Sequence, residues 1–220
     1  MPADTPQQPT PTALPLKRGT LSGWAAHSYV PSRRGRRHIE HGLSRALLIA
    51  KKSMEFGGAL VWDLAPELVE IIPEGVTLLV TPPPGKYSEA RQWNFARELG
   101  IACATLSGIP LAPPMRWSKH GPDGSAKAAV SHRGKARTLG RVAEITGPRL
   151  DGQRCAVIDD LFTTGITCEQ TAAACIAAGA AEVVGAFTLM RTERTEDRPA
   201  EERRRLALKR RQRAARGVRQ

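Results

Sequence analysis

Val157-Ile158-Asp159-Asp160-Leu161-Phe162-Thr163-Thr164-Gly165-Ile166-Thr167 is the stretch that decides the fold. It begins inside Arg154 to Asp159 (RCAVID), an apolar, branched run that reads as a buried strand. Behind it, Thr167 to Ala178 is an Ala-rich helix with Thr167-x-x-Gln170 as its capping box and Gly179 as its C-terminal stop. Glu182 to Met190 (EVVGAFTLM) is a second buried strand. Strand, helix and strand in this order make a βαβ unit, which implies a parallel sheet with a right-handed crossover. The expected class is α/β, a central parallel sheet flanked by helices, Rossmann-like in layout.

The same stretch carries the chemistry. Asp159 and Asp160 arrive together at the carboxyl edge of the sheet, where open α/β folds bind their ligands. Thr163, Thr164, Gly165 and Thr167 then lead into a helix N-terminus, so hydroxyls, backbone N–H groups and the helix dipole converge on one anion. The carboxylates can accept hydrogen bonds from the vicinal hydroxyls of a sugar close to that anion, and a ribose 5-phosphate fits. The plainer alternative is an acidic strand end whose Asp160 and Thr163 satisfy turn amides. No G-x-x-x-x-G-K-[ST] and no G-x-G-x-x-G after a strand occurs, so neither a P-loop nor a dinucleotide fingerprint is present.

Upstream, Gly75 to Thr81 (GVTLLVT) reads as another central strand, followed by the rigid turn Pro82-Pro83-Pro84-Gly85. Apolar spacing predicts a helix from about Ser88 to Ser107, stopped by Gly108, with Gly100 inside it costing about 1 kcal/mol relative to Ala. His38 to Phe56 reads as one amphipathic helix ended by Gly57-Gly58, and Pro66 to Ile72 as a second, short one. Pro110 to Lys127 lacks periodicity and reads as a long excursion of the kind that forms active-site lids.

A chain of 220 residues with 41% hydrophobic content suits one compact domain and excludes a long multidomain enzyme. The longest apolar runs, such as Ala46 to Ala50 and Gly57 to Trp62, are far short of the roughly 20 residues of a membrane helix. Met1 to Pro15 has neither the basic start nor the apolar stretch of a secretory signal, so a cytoplasmic location and no membrane partner are the default expectations. Residues 1–20 are expected to be a disordered Pro-rich leader, 21–191 the domain and 192–220 a basic tail. Of the net charge of +12, much lies in Arg203 to Gln220, with nine Lys or Arg and no acid. Contact with nucleic acid or another polyanion and a merely solubilising terminus are both compatible with that run. Cys103, Cys155, Cys168 and Cys175 show no C-x-x-C spacing, so neither structural zinc nor disulfides are expected, and Cys168 and Cys175 read as core thiols. His38-x-x-His41 lacks a third ligand and reads as surface.

The segment around Asp159-Asp160 resembles the phosphoribosyl pyrophosphate (PRPP) motif of type I phosphoribosyltransferases, and its surroundings are similar to the ComF/GntX branch. In that branch a strand ending in Pro is followed by an Arg-Gly-Phe-Asn-Gln-like segment and a helix closing in Gly-Ile-Pro. Arg91-Gln92-Trp93-Asn94-Phe95 and Gly108-Ile109-Pro110 stand at those places, and Ala128 to Lys135 is a weaker likeness to the family's basic loop. The branch's N-terminal four-Cys zinc element is not in this leader. The resemblance implies a parallel sheet with a small hood and a PRPP site running from Asp159 to Thr167: Asp159, Asp160, Leu161, Phe162, Thr163, Thr164, Gly165, Ile166 and Thr167. Asp159 and Asp160 would hold the ribose hydroxyls as the catalytic carboxylates, and Thr163 to Thr167 the 5-phosphate. Pro82, Pro83 and Pro84 would shape the pyrophosphate loop, with Lys86 or Arg91 reaching its charge, and Lys127, Arg133 and Lys135 closing over it. Mg²⁺ would accompany PRPP, and the acceptor, a nucleobase among the candidates, is left open, as is a homodimer. The implied activity is phosphoribosyl transfer with pyrophosphate leaving; the alternative is a PRPP- or nucleotide-sensing or ComF-like DNA-uptake protein without turnover.

Overall fold

The computed structural model describes residues 13–31, 40–85, 88, 92–118, 142–145 and 147–193. Its strands are β1 (Leu14–Arg18), β2 (Leu21–Tyr29), β3 (Leu78–Val80), β4 (Met115–Ser118), β5 (Val142–Ile145), β6 (Arg154–Phe162) and β7 (Glu182–Thr192). Its helices are α1 (Gly42–Ala50), α2 (Met54–Val69), α3 (Phe95–Ser107) and α4 (Ile166–Ala177). Five strands form one sheet in the order β1-β2-β7-β6-β3. The pairs β2/β7, β7/β6 and β6/β3 are parallel. The α/β class read from the βαβ unit is therefore the one found, with an antiparallel edge added by β1 on β2. A separate antiparallel pair, β4 with β5, packs Met115 and Ala143 against Val80, Cys155 and Ala174.

Period-two alternation along β6 divides the core into two layers. Ala156 and Ile158 pack with Leu47, Leu64, Leu68 and Leu99 of α1 to α3. Val157 faces the other way, with Phe162, Cys168, Leu16 and Ala25 on the α4 side. All four cysteines are buried and free, so the core reading of Cys168 and Cys175 extends to Cys103 and Cys155.

Several sequence expectations are corrected. The leader does not extend to residue 20, because Leu14 to Arg18 pair with Leu21 to Ala25 and bury Leu16 in the α4 layer; residues 1–12 lie outside the described residues. The single helix over His38 to Phe56 is two helices. Ser53 takes an extended conformation and its hydroxyl accepts the Phe56 N–H (3.3 Å), which starts α2 afresh. Gly57-Gly58 lie inside α2 rather than ending a helix, and the short helix at Pro66 to Ile72 is the last part of α2, with exposed Pro66 in its interior. The helix expected from Ser88 starts at Phe95, because Asn94 is extended and its side chain accepts the Arg97 N–H. The capping box at Thr167 does not form: α4 begins one residue earlier, at Ile166, behind Gly165 in the left-handed conformation (φ 74°), with no side-chain cap. His41, read as a surface residue, caps α1 by accepting the Ser44 N–H on Nδ1 (3.2 Å); His38 lies outside the described residues. Among the described residues no helix is long and apolar enough to cross a membrane.

Candidate functional site

A cavity of about 600 Å³ opens at the carboxyl ends of β3 and β6, the edge at which parallel sheets bind ligands. One wall is the end of β6 and the turn after it, with Asp159, Asp160, Leu161, Thr163 and Thr167. Facing it are Pro82, Pro83 and Gly85 beyond β3, then Ser88, Asn94, Phe95 and Ala96 at the head of α3. Leu48, Lys51 and Lys52 come from α1 and its C-terminal cap, and Trp117 from β4.

Local sequence explains the two facing turns. Asp159 and Asp160 continue β6, which runs to Phe162 rather than ending at Asp159, so alternation points the adjacent carboxylates toward opposite layers. Phe162 is 5% exposed and belongs to the core with its side chain. Gly165 is buried, and a Cβ there would collide with the Phe162 ring and with Arg18 Cβ; its φ of 74° is also one that Gly adopts freely. This sharp turn sets Thr163 and Thr167 on the cavity, while the side chains of Thr164 and Ile166 are not part of its lining. Across the cavity the proline turn is braced from β4, whose Trp117 Nε1–H donates to the Pro84 carbonyl (2.9 Å).

The electrostatics centre on the carboxylate pair. Lys51 Nζ lies 2.9 Å from Asp160 Oδ1 and 2.8 Å from Oδ2, and the Asp160 side chain is 7% exposed. Burial is the largest single influence and works against the Lys51 charge, yet the attraction and hydrogen bond of Asp160, joined by Asp159 and Tyr29, together raise the Lys51 pKa above its ordinary value. Asp159 accepts the Asp160 N–H on Oδ1 (2.8 Å) and the Cys168 S–H on Oδ2 (3.5 Å). Burial and the neighbouring Asp160 charge push the Asp159 carboxyl up to about 7, with Lys51 pulling the other way. Tyr29, at the end of β2, is raised by burial and lowered by Lys51.

Of the residues singled out in the sequence, the cavity brings together Asp159, Asp160, Leu161, Thr163, Thr167, Pro82 and Pro83. Pro84 contributes through its carbonyl's bond to Trp117. Lys86, Arg91, Lys127, Arg133 and Lys135 lie outside the described residues. Lys51, Lys52 and Trp117 are the side chains that sequence reasoning missed. A Lys-Lys-Ser step between two apolar helical runs is the signal that could have found the lysines. Among the described residues no three side chains of metal-ligating type come together. The donor set fits a Mg²⁺ ion held largely by a ligand's own oxygens with one or two carboxylates, the usual arrangement for that ion.

No family model matches the chain, and no curated protein matches it in sequence. Among solved structures it is similar to a purine phosphoribosyltransferase from Pyrococcus horikoshii Ot3, with 20% identity over 61% of this chain and 80% of that one. The TM-score is 0.33.

Proposed function

We propose that this cavity binds a phosphorylated pentose, PRPP with Mg²⁺ foremost, and that the protein transfers or releases the phosphoribosyl group with pyrophosphate as leaving group. The observation that carries this reading is the convergence of two inequivalent carboxylates, a Thr-lined helix entrance and a rigid proline turn on one sheet-edge cavity. In it, Asp159 and Asp160 meet the ribose hydroxyls, Thr163, Thr167 and the first-turn amides of α4 hold the 5-phosphate, and the Pro82 to Gly85 turn shapes the diphosphate pocket. Lys52, at the cavity wall, supplies positive charge toward the departing diphosphate. Asp159 or Asp160 would help hold Mg²⁺, which supplies charge neutralisation for the leaving group. Breaking the anomeric C–O bond develops positive charge on the sugar, and an ionised carboxylate nearby stabilises it, so catalysis is mostly positioning and electrostatics. A nucleobase is one acceptor class that such a site would serve, and the basic stretch Arg203 to Gln220 is proposed to be a polyanion-binding appendage.

Calorimetric titration of PRPP with Mg²⁺ tests the reading. Saturable binding is expected for the wild type and at least tenfold weaker binding for the Asp159→Asn, Asp160→Asn double variant, since two hydrogen-bonded ionic contacts are lost. Equal affinity in a folded double variant would refute it. Pyrophosphate release with added nucleobases then separates transfer from binding alone.

A further inference from the structure

Helix α2 turns to solvent a face that matches no other surface of the described residues. Its buried stripe is Gly57, Val61, Leu64, Ala65 and Leu68. On the opposite side Phe56, Ala59, Trp62 and Pro66 follow one another at helical spacing, and Trp62 is 51% and Phe56 43% exposed. Interleaved with them are Glu55, Asp63, Glu67 and, at the C-terminal cap, Glu70, all exposed, and α2 carries no basic residue. Asp63 with Glu67 and Glu67 with Glu70 are like charges at i, i+4 and i, i+3, in the half of the helix whose dipole favours cations. Glu67 meets His27 Nε2 at 2.7 Å. Glu55, Asp63 and Glu70 meet no cation among the described residues. An exposed apolar row set among acids is the complement of an arginine-rich segment, whose guanidinium groups pair with the carboxylates and stack on the Trp62 ring.

We propose that this face is the docking surface of the chain's own Arg203 to Gln220. That segment, outside the described residues, has nine Lys or Arg and no acid, with Leu206, Leu208 and Val218 to meet the apolar row. Charge complementarity selects it, and so does the path of the chain. Lys51, just before α2, lies against Asp160 near the carboxyl end of β6, so α2 begins at the carboxyl edge of the sheet. β7 leaves the sheet at that same edge, where Arg191 pairs with Phe162 and the Glu193 N–H donates to the Tyr29 carbonyl (2.8 Å). Residues 194–202 separate Glu193 from Arg203, and a stretch of that length spans up to roughly 30 Å. α2, with 16 residues, is about 24 Å long, so the whole face is within reach. The tether keeps the segment beside α2 at an effective concentration on the order of millimolar. Docked there, it covers Trp62, and a nucleic acid has to compete with α2 for its cations. That consequence rests on the polyanion-binding reading above; the docking itself does not.

Fluorine NMR of the full chain reads the contact, with 5-fluorotryptophan in place of Trp and a nitroxide attached at position 207 through Ala207→Cys; the four native cysteines are buried and stay unlabelled. Trp62, assigned through Trp62→Phe, is expected to be broadened well beyond Trp117 of β4 at low salt. The broadening is expected to fall by about threefold or more in the exposed-site double variant Asp63→Lys, Glu70→Lys, and to vanish at about 1 M salt, where the screening length is roughly 3 Å. An unbroadened Trp62, or broadening that the charge-reversed variant keeps in full, overturns the proposal. Mixing nitroxide-labelled chains that lack fluorine with fluorinated, unlabelled ones is expected to leave Trp62 sharp; broadening in that mixture would seat the segment on a second copy and overturn the assignment within one chain. Adding a short DNA duplex is expected to sharpen Trp62 as the segment is drawn off. Duplex binding that leaves Trp62 broadened would overturn the competition, whereas no duplex binding with the Trp62 contact intact would refute the polyanion-binding reading and support the docking surface.

Discussion

Asp159 is held at a cost to the fold. An aspartate ionises near 4 in an unfolded chain, whereas here burial and Asp160 push it up to about 7. Between those values the folded state binds more protons than the unfolded one, so this residue's contribution to stability is complete below about pH 4 and is lost as pH rises through 7. Asp159→Asn removes the titration while keeping an Oδ1 that accepts the Asp160 N–H. The variant is expected to be ~2 kcal/mol more stable than the wild type at about pH 8 and to lose most of that advantage near pH 5, with PRPP binding weakened at both. Urea unfolding at the two pH values checks it, and a stability difference that does not shrink on acidification would contradict this electrostatic account. At this scale the carboxylates and the Thr-Thr-Gly turn were legible because they are contiguous. Lys51 was not, because it meets Asp160 across a separation of 109 residues that no periodicity connects.

Between α1 and α2 the deciding feature is a close approach. A Cβ on Gly57 would stand 2.5 Å from Trp93 Cζ2 and 2.6 Å from the Ala50 carbonyl oxygen, one of them a buried ring and the other backbone. Ala at an unobstructed helical position is worth about 1 kcal/mol over Gly, so propensity alone would make Gly57→Ala stabilising. Contact at this range reverses the sign. We expect Gly57→Ala to lose about 2 kcal/mol on urea unfolding and to weaken PRPP binding, since Trp93 has to move off the carbonyl that precedes Lys51. A variant as stable as the wild type would show that the two helices are not held this tightly. The same contact explains why the helix boundaries here escaped sequence reading. Apolar spacing from Leu43 to Met54 runs unbroken across the junction, and Gly57, the first of the two glycines that look like a stop, is the packing surface for Trp93. Pro66, which looks like a start, is carried inside α2, where Val61, Leu64, Ala65 and Leu68 are buried. Strands β6 and β7 were read more accurately, since both are apolar runs that a buried parallel sheet requires, whereas β3, expected to be a central strand, stands at the edge of the five-stranded sheet, paired with β6 and meeting only an isolated bridge at Leu111 on its other side.

Over the whole molecule, the βαβ unit made the α/β class legible, whereas the antiparallel edge was hidden because Leu14 to Arg18 joins a strand only by pairing with Leu21 to Ala25. Charge is the other property that belongs to the chain as a whole. Nine of the basic residues behind the net charge of +12 stand in Arg203 to Gln220, so deleting that stretch leaves a nearly balanced protein with its cavity residues intact. Each phosphate that such a segment neutralises releases counterions and steepens the salt dependence of binding by close to one in log K against log salt. If the stretch is the polyanion contact, anisotropy titrations of the full chain against a short DNA duplex should show a steep negative salt slope. Truncation before Arg203 should flatten that slope by several units, and ribose 5-phosphate affinity should stay within about twofold, because the two sites share no side chain. No aromatic residue interrupts the stretch, so binding is expected to be indifferent to base sequence. Equal slopes with and without residues 203–220 would mean that the charge serves solubility alone, and that any nucleic-acid contact has to be sought on the domain itself.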